Sequence, residues 1–224
     1  MAEETQKRRA VGRPPGRPSR ISRRAIADAA LAVGFDNLTL STVGKQLNIS
    51  HSALYRHIAD REDLVILAID RVLQRTEWPD PTGEWRADLR EEAWTVWRLL
   101  NAHPGLVQEF LRLTRYPPEI MRRFAEIVQR LIDHGFTADD AFLAADTVYD
   151  LTVDVFSRGQ QLDRRAGGVP FRVSSAEGLP ETVSPLLAPL IRTALTEPTE
   201  AWFRRKLALV LDGIALSLSP KDPG

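Results

Sequence analysis

Residues 50–57, Ser-His-Ser-Ala-Leu-Tyr-Arg-His, gather side chains that can do chemistry. Two histidines, a tyrosine, an arginine and two serines surround only two apolar residues. Such a set can bind a metal, move protons, or present donors to a polar surface. His51 and His57 lie six apart and so do not share a helix face. A metal site needs ligands three or four apart, and more of them. The chain has four histidines, no cysteine and no Gly-x-Ser-x-Gly nucleophile motif, so no nucleophile–base pair is in view. That leaves a surface that reads something. The paired acidic residues Glu91–Glu92 and Asp139–Asp140 look like solvated helix faces. The expectation is therefore a non-enzyme with no cofactor and no metal.

Composition narrows the partner. The 224 residues are 43% hydrophobic, as in an ordinary globular protein with a real core. Without cysteine there are no disulfides and no zinc–thiolate sites. No apolar run approaches the roughly 18 residues of a membrane span, and the N-terminus lacks the apolar region of a signal peptide. A cytoplasmic protein with no membrane partner is expected. The formal net charge is zero, but it is uneven. Residues 1–75 hold 13 Lys+Arg against 8 Asp+Glu, and the remainder 17 against 22. A basic front on an acidic back points to a polyanion at the front.

The elements that position residues 50–57 are helical. Residues 1–19 are rich in Pro, Gly and Arg and read as a disordered basic arm. Ser22 caps a first helix carrying Ile26, Ala30 and Val33, which ends at Gly34. Thr39 caps a second with Val43 and Leu47, and Gly44 in its middle implies close approach of another helix. Asn48 suits a left-handed turn. Ser50 caps a third helix with Ala53 and Leu54 inward, and Asp60 caps a fourth with Asp63 near the capping-box position. Residues 76–83, with two prolines and a glycine, read as a joint. The chain thus divides into 1–19, 20–76 and 77–224. Beyond the joint, helices are expected near 84–102, 104–114, 118–134, 138–161, 185–195 and 198–218, with a long loop over 162–183. No strand alternation persists, so the fold class is all-α.

Three short helices in about 40 residues make a helix-turn-helix unit, whose third helix fits a DNA major groove. The run LTLSTVGKQLNISHSALYRHIADREDL resembles the DNA-binding domain of the tetracycline-repressor family. Leu54-Tyr55-Arg56-His57 and Asp60-Arg61-Glu62-Asp63-Leu64 carry the strongest match. The segments GEWRADLREEAWTVWRLLNAHPG, HGFTADDAFLAADTVYDLTVDVF and PLLAPLIRTALTEPTEAWFRRKLALVLDGIALSL resemble the C-terminal domain of that family. The resemblance covers about residues 20–218. It implies ten helices, a ligand-binding and dimerisation domain at 77–224, a homodimer, and a repressor released from its operator by a small-molecule effector.

The resemblance also implies contacts. Thr39 and Ser41 would touch phosphate or base edges. His51, Ser52 and Ala53 would face bases, Tyr55 and His57 would bind phosphates, and Arg61 would hold the phosphate beyond. Arg56 stands where a base or phosphate contact is possible. Ser41 replaces an arginine of the tetracycline repressor, so the operator should differ. In the arm, GRPPGRP resembles the AT-hook core, although Val11 and Pro15 stand where its leading arginines would be. Arg13 and Arg17 either enter a narrow minor groove or add only non-specific attraction.

For the effector, Trp94, Trp97, Phe110, Arg115, Tyr149 and Phe156 are the candidate lining. For each tryptophan, plain core packing is the alternative. The histidines that hold a magnesium–drug chelate in the tetracycline repressor align with Phe110 and Glu77. No such chelate site is expected, and an apolar or aromatic effector is. The stripes Ala141–Val155 and Leu207–Leu218 would form a four-helix bundle with a second copy, or else close the protomer's own core. A regulator whose pocket is packed solid, and which senses nothing, is the rival reading.

Overall fold

The computed structural model describes residues 21–166 and 168–218. The arm, with Arg13 and Arg17, lies outside the described residues. Four helices come first: α1 (Arg23–Val33), α2 (Leu40–Leu47), α3 (His51–Leu54) and α4 (Arg61–Arg75). Six more follow: α5 (Trp85–Ala102), α6 (Leu106–Phe110), α7 (Pro118–Asp133), α8 (Ala138–Asp163), α9 (Phe171–Glu177) and α10 (Leu187–Thr196). α11 (Thr199–Ser217) ends the described chain. A two-residue antiparallel ladder pairs β1 (Arg165–Ala166) with β2 (Val169–Pro170). The class is all-α, with eleven α-helices among the described residues where ten were expected.

The caps fall where side-chain chemistry puts them. Ser22 accepts from the Ala25 N–H, Thr39 from Thr42, Ser50 from Ala53, and Asp60 from Asp63. Each satisfies one of the orphan donors that open a helix, a gain of about 1 kcal/mol per cap. The capping box at Asp60 is redirected, however. Asp63 accepts from the Ala59 N–H and from both terminal guanidinium nitrogens of Arg23. Arg23 also donates to the carbonyl of His57, at 2.5 Å. One arginine of α1 therefore fixes the end of the third helix to the start of α4. Burial pushes the Asp63 carboxyl up, but Arg23 and the Ala59 amide outweigh it and hold it below the ordinary range.

Helices α1 to α4 close on Ile26, Val43, Leu54 and Leu64, all essentially inaccessible. Gly44 is needed at their crossing. A Cβ there would lie 3.2 Å from the Ile49 carbonyl oxygen and 3.4 Å from Leu54 Cδ1.

The 76–83 joint is pinned, not loose. Trp78 donates from its indole to the Leu73 carbonyl at 3.2 Å, and its ring lies 4.3 Å under the Arg123 guanidinium. Thr82 donates twice to the buried Asp88. The remaining helices wrap α8, which packs on α5, α7 and α11. The stripe Ala141–Val155 is buried inside the protomer, as are Leu207, Leu211 and Ile214 of the stripe Leu207–Leu218, while Val210 and Leu218 are half-buried. What α11 leaves outside is Leu209, 72% exposed, and Leu216, 87% exposed.

The segment expected to be a long loop holds β1, β2 and α9. Seven residues bounded by Pro170 and Gly178 show too little periodicity to announce a helix. Tertiary contacts hold it: Arg172 donates to the carbonyls of Leu195 and Glu197 and to the Thr199 hydroxyl, and pairs with Asp163 at 2.7 Å. Gly159 lets α8 pass the start of α11, since a Cβ there would collide with the side chain of Thr199. Gly159→Ala is expected to destabilise by about 1–2 kcal/mol despite alanine's better helix propensity, because overpacking outweighs it. Thermal unfolding of the variant checks this.

Candidate nucleic-acid interface

Helix α3 and the turn after it carry their polar side chains outward. His51, Ser52, Tyr55 and Arg56 are exposed, Tyr55 by 52%. Leu54 and Ile58, four apart, are buried at 0% and 2% and hold the element to the domain. Ala53 is buried at 7%. The residue pattern put it inward, and the structure places it there and not on the exposed side where the resemblance had it. His57 is half-buried, and Thr39 and Ser41 are exposed at the cap and the first turn of α2. Thr39 is occupied by its capping box with Thr42. Ser41, Lys45, Asn48, Ser50 and His51 border an open groove of about 440 Å³ floored by Gly44 and Ile49.

Arg61 is paired within the protein. Its guanidinium donates to Glu109 at 2.8 Å and to the Leu38 carbonyl at 3.3 Å. Glu109 stands on α6, is buried, and also pairs with Arg112 at 3.2 Å. Beside it, Glu62 accepts from the N–H and hydroxyl of Thr114, which lowers its pKa. Arg115, a candidate effector contact, is exposed and lies 3.9 Å from both Asp60 and Glu62. It belongs to this junction of α4 with the α6–α7 turn.

The other candidate effector residues fall in three places. Trp97 stacks on Phe203 at 4.5 Å and meets Phe156 edge-on at 5.1 Å, while Trp94 meets Phe203 edge-on at 5.0 Å. These four rings interlock between α5, α8 and α11. Phe203 carries this stack yet is absent from the sequence candidates; its spacing to Leu207 and Leu211 was the available signal. Phe110 lies apart, tilted against Tyr116 at 6.3 Å.

Tyr149 joins a buried polar group instead. It donates to Glu92 at 2.6 Å, and Arg123 donates to the same carboxylate, with its Nε 2.7 Å from Oε1. Glu92 is 1% exposed and Arg123 5%. The reading of Glu91–Glu92 as a solvated face is corrected here: only Glu91 is solvated. Burial, then the Glu92 charge, drive the Tyr149 phenol well above its ordinary pKa, so it stays a neutral donor. Trp78 covers the group from the joint side.

His103 sits at the end of α5, edge-on to Phe35 at 6.3 Å. Burial lowers its pKa below the ordinary value of 6.5, because the charged imidazolium is disfavoured there. Between the folded value and 6.5 the unfolded chain binds a proton that the folded chain does not. Stability should therefore be full above that window and fall as pH drops through it. His103→Phe is expected to melt with a shallower dependence on pH between about 7.5 and 5.5 than the parent.

Among the described residues no helix is long and apolar enough to cross a membrane. Residues 79–218 match the family described as tetracyclin repressor-like, C-terminal domain. A helix-turn-helix-type transcriptional repressor of Mycobacterium tuberculosis is 25% identical over 210 residues, covering 88% of this chain and 80% of the relative. The class A tetracycline repressor from transposon 1721 of Escherichia coli is 27% identical over 199 residues, covering 86% and 88%. The Streptomyces coelicolor protein ActR in complex with actinorhodin superposes with a TM-score of 0.75 at 21% identity, covering 89% of this chain and 98% of ActR.

Proposed function

This chain belongs to the tetracycline-repressor family of transcriptional regulators, and we propose that it is a homodimeric repressor of a palindromic operator. Residues 20–76 form the DNA-reading domain in this proposal, and 77–224 the effector and dimerisation domain. The observation that carries it is the exposed polar face of residues 51–57, held on a fully packed four-helix core. His51, Ser52 and Arg56 would meet base edges, with Arg56 to guanine the strongest discrimination. Thr39, Ser41, Tyr55 and His57 would meet the backbone. Arg13 and Arg17 would add minor-groove contact. Two copies are needed to read two half-sites about one turn apart, and Leu209 and Leu216 on the outer face of α11 are the apolar surface for that pairing. An apolar or aromatic effector would favour the state with lower DNA affinity. The ActR complex with actinorhodin supports a small-molecule effector in this fold.

Selection of bound duplexes from a random DNA pool at near-physiological salt tests the reading. A two-fold palindrome supports it; asymmetric A·T-rich DNA, or nothing, sinks it. A second reading has its own observation. Trp94, Trp97, Phe156 and Phe203 interlock where an effector would enter, with Trp97 only 8% exposed. A regulator with that space filled would bind its operator without sensing anything. A thermal-shift screen of flat apolar compounds separates the two, because a ligand of the native state must raise the melting temperature.

A further inference from the structure

The charges of the helix-turn-helix segment are largely spent on the protein itself. Arg23 is paired with Asp63, Arg61 with Glu109, and Arg71 and Arg75 with Asp28. Arg24 lies within electrostatic reach of Asp28 as well. Between residues 21 and 76, that leaves Lys45 and Arg56 as the cations with no acidic partner among the described residues. A surface that holds DNA needs cations able to displace counterions from phosphate. At Arg23 and Arg61 a phosphate must compete with a carboxylate already in place, whereas at Lys45 and Arg56 it need not.

Lys45 stands one helical turn beyond Ser41, which puts both on one face of α2. That face forms a wall of the 440 Å³ groove, and the opposite wall is Ser50 and His51 at the start of α3. No carboxylate borders the groove. Its unpartnered side-chain donors among the described residues are the Lys45 ammonium, the Ser41 hydroxyl, the Asn48 amide and the His51 imidazole, and Lys45 is the one with a fixed positive charge. Ser50, by contrast, is engaged with the Ala53 N–H and with Ser52. The floor is the bare Cα of Gly44, where even a methyl group would crowd the Ile49 carbonyl.

We infer that Lys45 is an anchoring residue of the DNA complex, seating a backbone phosphate of the operator in the groove between α2 and α3. The inference rests on the operator-binding reading above. It gives the groove a ligand class, a phosphodiester. A lysine is a point charge with rotatable donors, which suits a phosphate oxygen better than the paired acceptors of a base edge. Contacts of this kind set register and contribute affinity without discriminating sequence.

The experiment uses the full-length chain and the duplex it selects from a random pool. Dissociation constants are measured from about 50 to 300 mM salt for the parent, K45M, K45R and R90M. Arg90 is an exposed cation on α5 and does not line the groove, so R90M reports the effect of overall charge alone. K45M is expected to weaken binding roughly tenfold at low salt, to lower the slope of log K against log salt by about 0.9 per protomer, and to do so equally on duplexes with single base-pair changes. K45R should restore the slope, and R90M should leave it at the parental value. Lys45 is exposed and methionine is a good helix former, so melting of K45M should match the parent. A slope equal to that of the parent overturns the inference. So does a K45M loss confined to one base-pair position, which would make Lys45 a reader of a base edge. If the parent selects no duplex, the operator reading itself falls and the inference with it.

Discussion

Arg123→Met is expected to cost about 3–5 kcal/mol of stability, because it strands a charge in the core. Arg123 and Glu92 are buried together, and Tyr149 donates to the same carboxylate. Removing the cation leaves that carboxylate with one phenol for company. Charges taken out of water cost several kcal/mol each, and only their mutual contact offsets that. The loss should appear as a fall in melting temperature of roughly 10 °C or more. The origin of the effect is checked by removing all three groups. R123M/E92L/Y149F takes the whole polar cluster out of the core and is expected to recover most of the stability, since apolar packing often equals a buried ion pair. If R123M melts with the parent, the ion pair is not what joins α5, α7 and α8.

The second large effect is on DNA binding and has the opposite sign. Arg61 is held by Glu109 across the junction between α4 and α6. Any phosphate that Arg61 would hold in the family manner must compete with that carboxylate. Glu109→Gln keeps the shape and removes the charge. It is expected to tighten operator binding by on the order of tenfold at low salt and to steepen the salt dependence by about 0.9 per protomer. Weaker binding would show instead that the Arg61–Glu109 pair sets the position of α4 that DNA requires. Titrating E109Q with the selected duplex across a salt series distinguishes these.

How much of this was legible in the sequence follows from how far each interaction reaches along the chain. Ser22, Thr39, Ser50 and Asp60 were readable as caps because a cap is a bond over three residues. Gly44 and Asn48 were readable because each marks a local requirement, a close approach and a left-handed turn with φ of 53°. The helices beyond the joint were not all equally visible. α5, α7, α8 and α11 have long apolar periods, whereas α9 exists through Arg172 and its partners, Glu197 among them at a separation of 25 residues. The least legible features are the pairs with large separation. Glu92 and Arg123 are 31 apart and Arg61 and Glu109 are 48 apart. No local pattern marks either carboxylate as buried, and for that reason Glu92 read as solvated and Arg61 as free for a phosphate. The aromatic candidates do not form a single lining for the same reason. Trp97 and Phe156 share a stack, while Arg115 and Phe110 sit at other junctions.

Helix α10 has no buried residue, and Leu186, Leu187 and Leu190 beside and within it are 75%, 50% and 62% exposed. Ten residues are too few to hold a helix in water by backbone bonding alone. Within the protomer it packs on α9, with Arg192 donating to the Ala176 carbonyl and Arg172 to the Leu195 carbonyl; in the homodimer proposed above, a second copy covering those leucines would add to that order and make the helix content of this stretch depend on protein concentration. Under that proposal dilution would act on one end of the molecule first: amide protons of residues 187–196 should exchange faster as the protein is diluted, while those of α5 and α8 hold their rates.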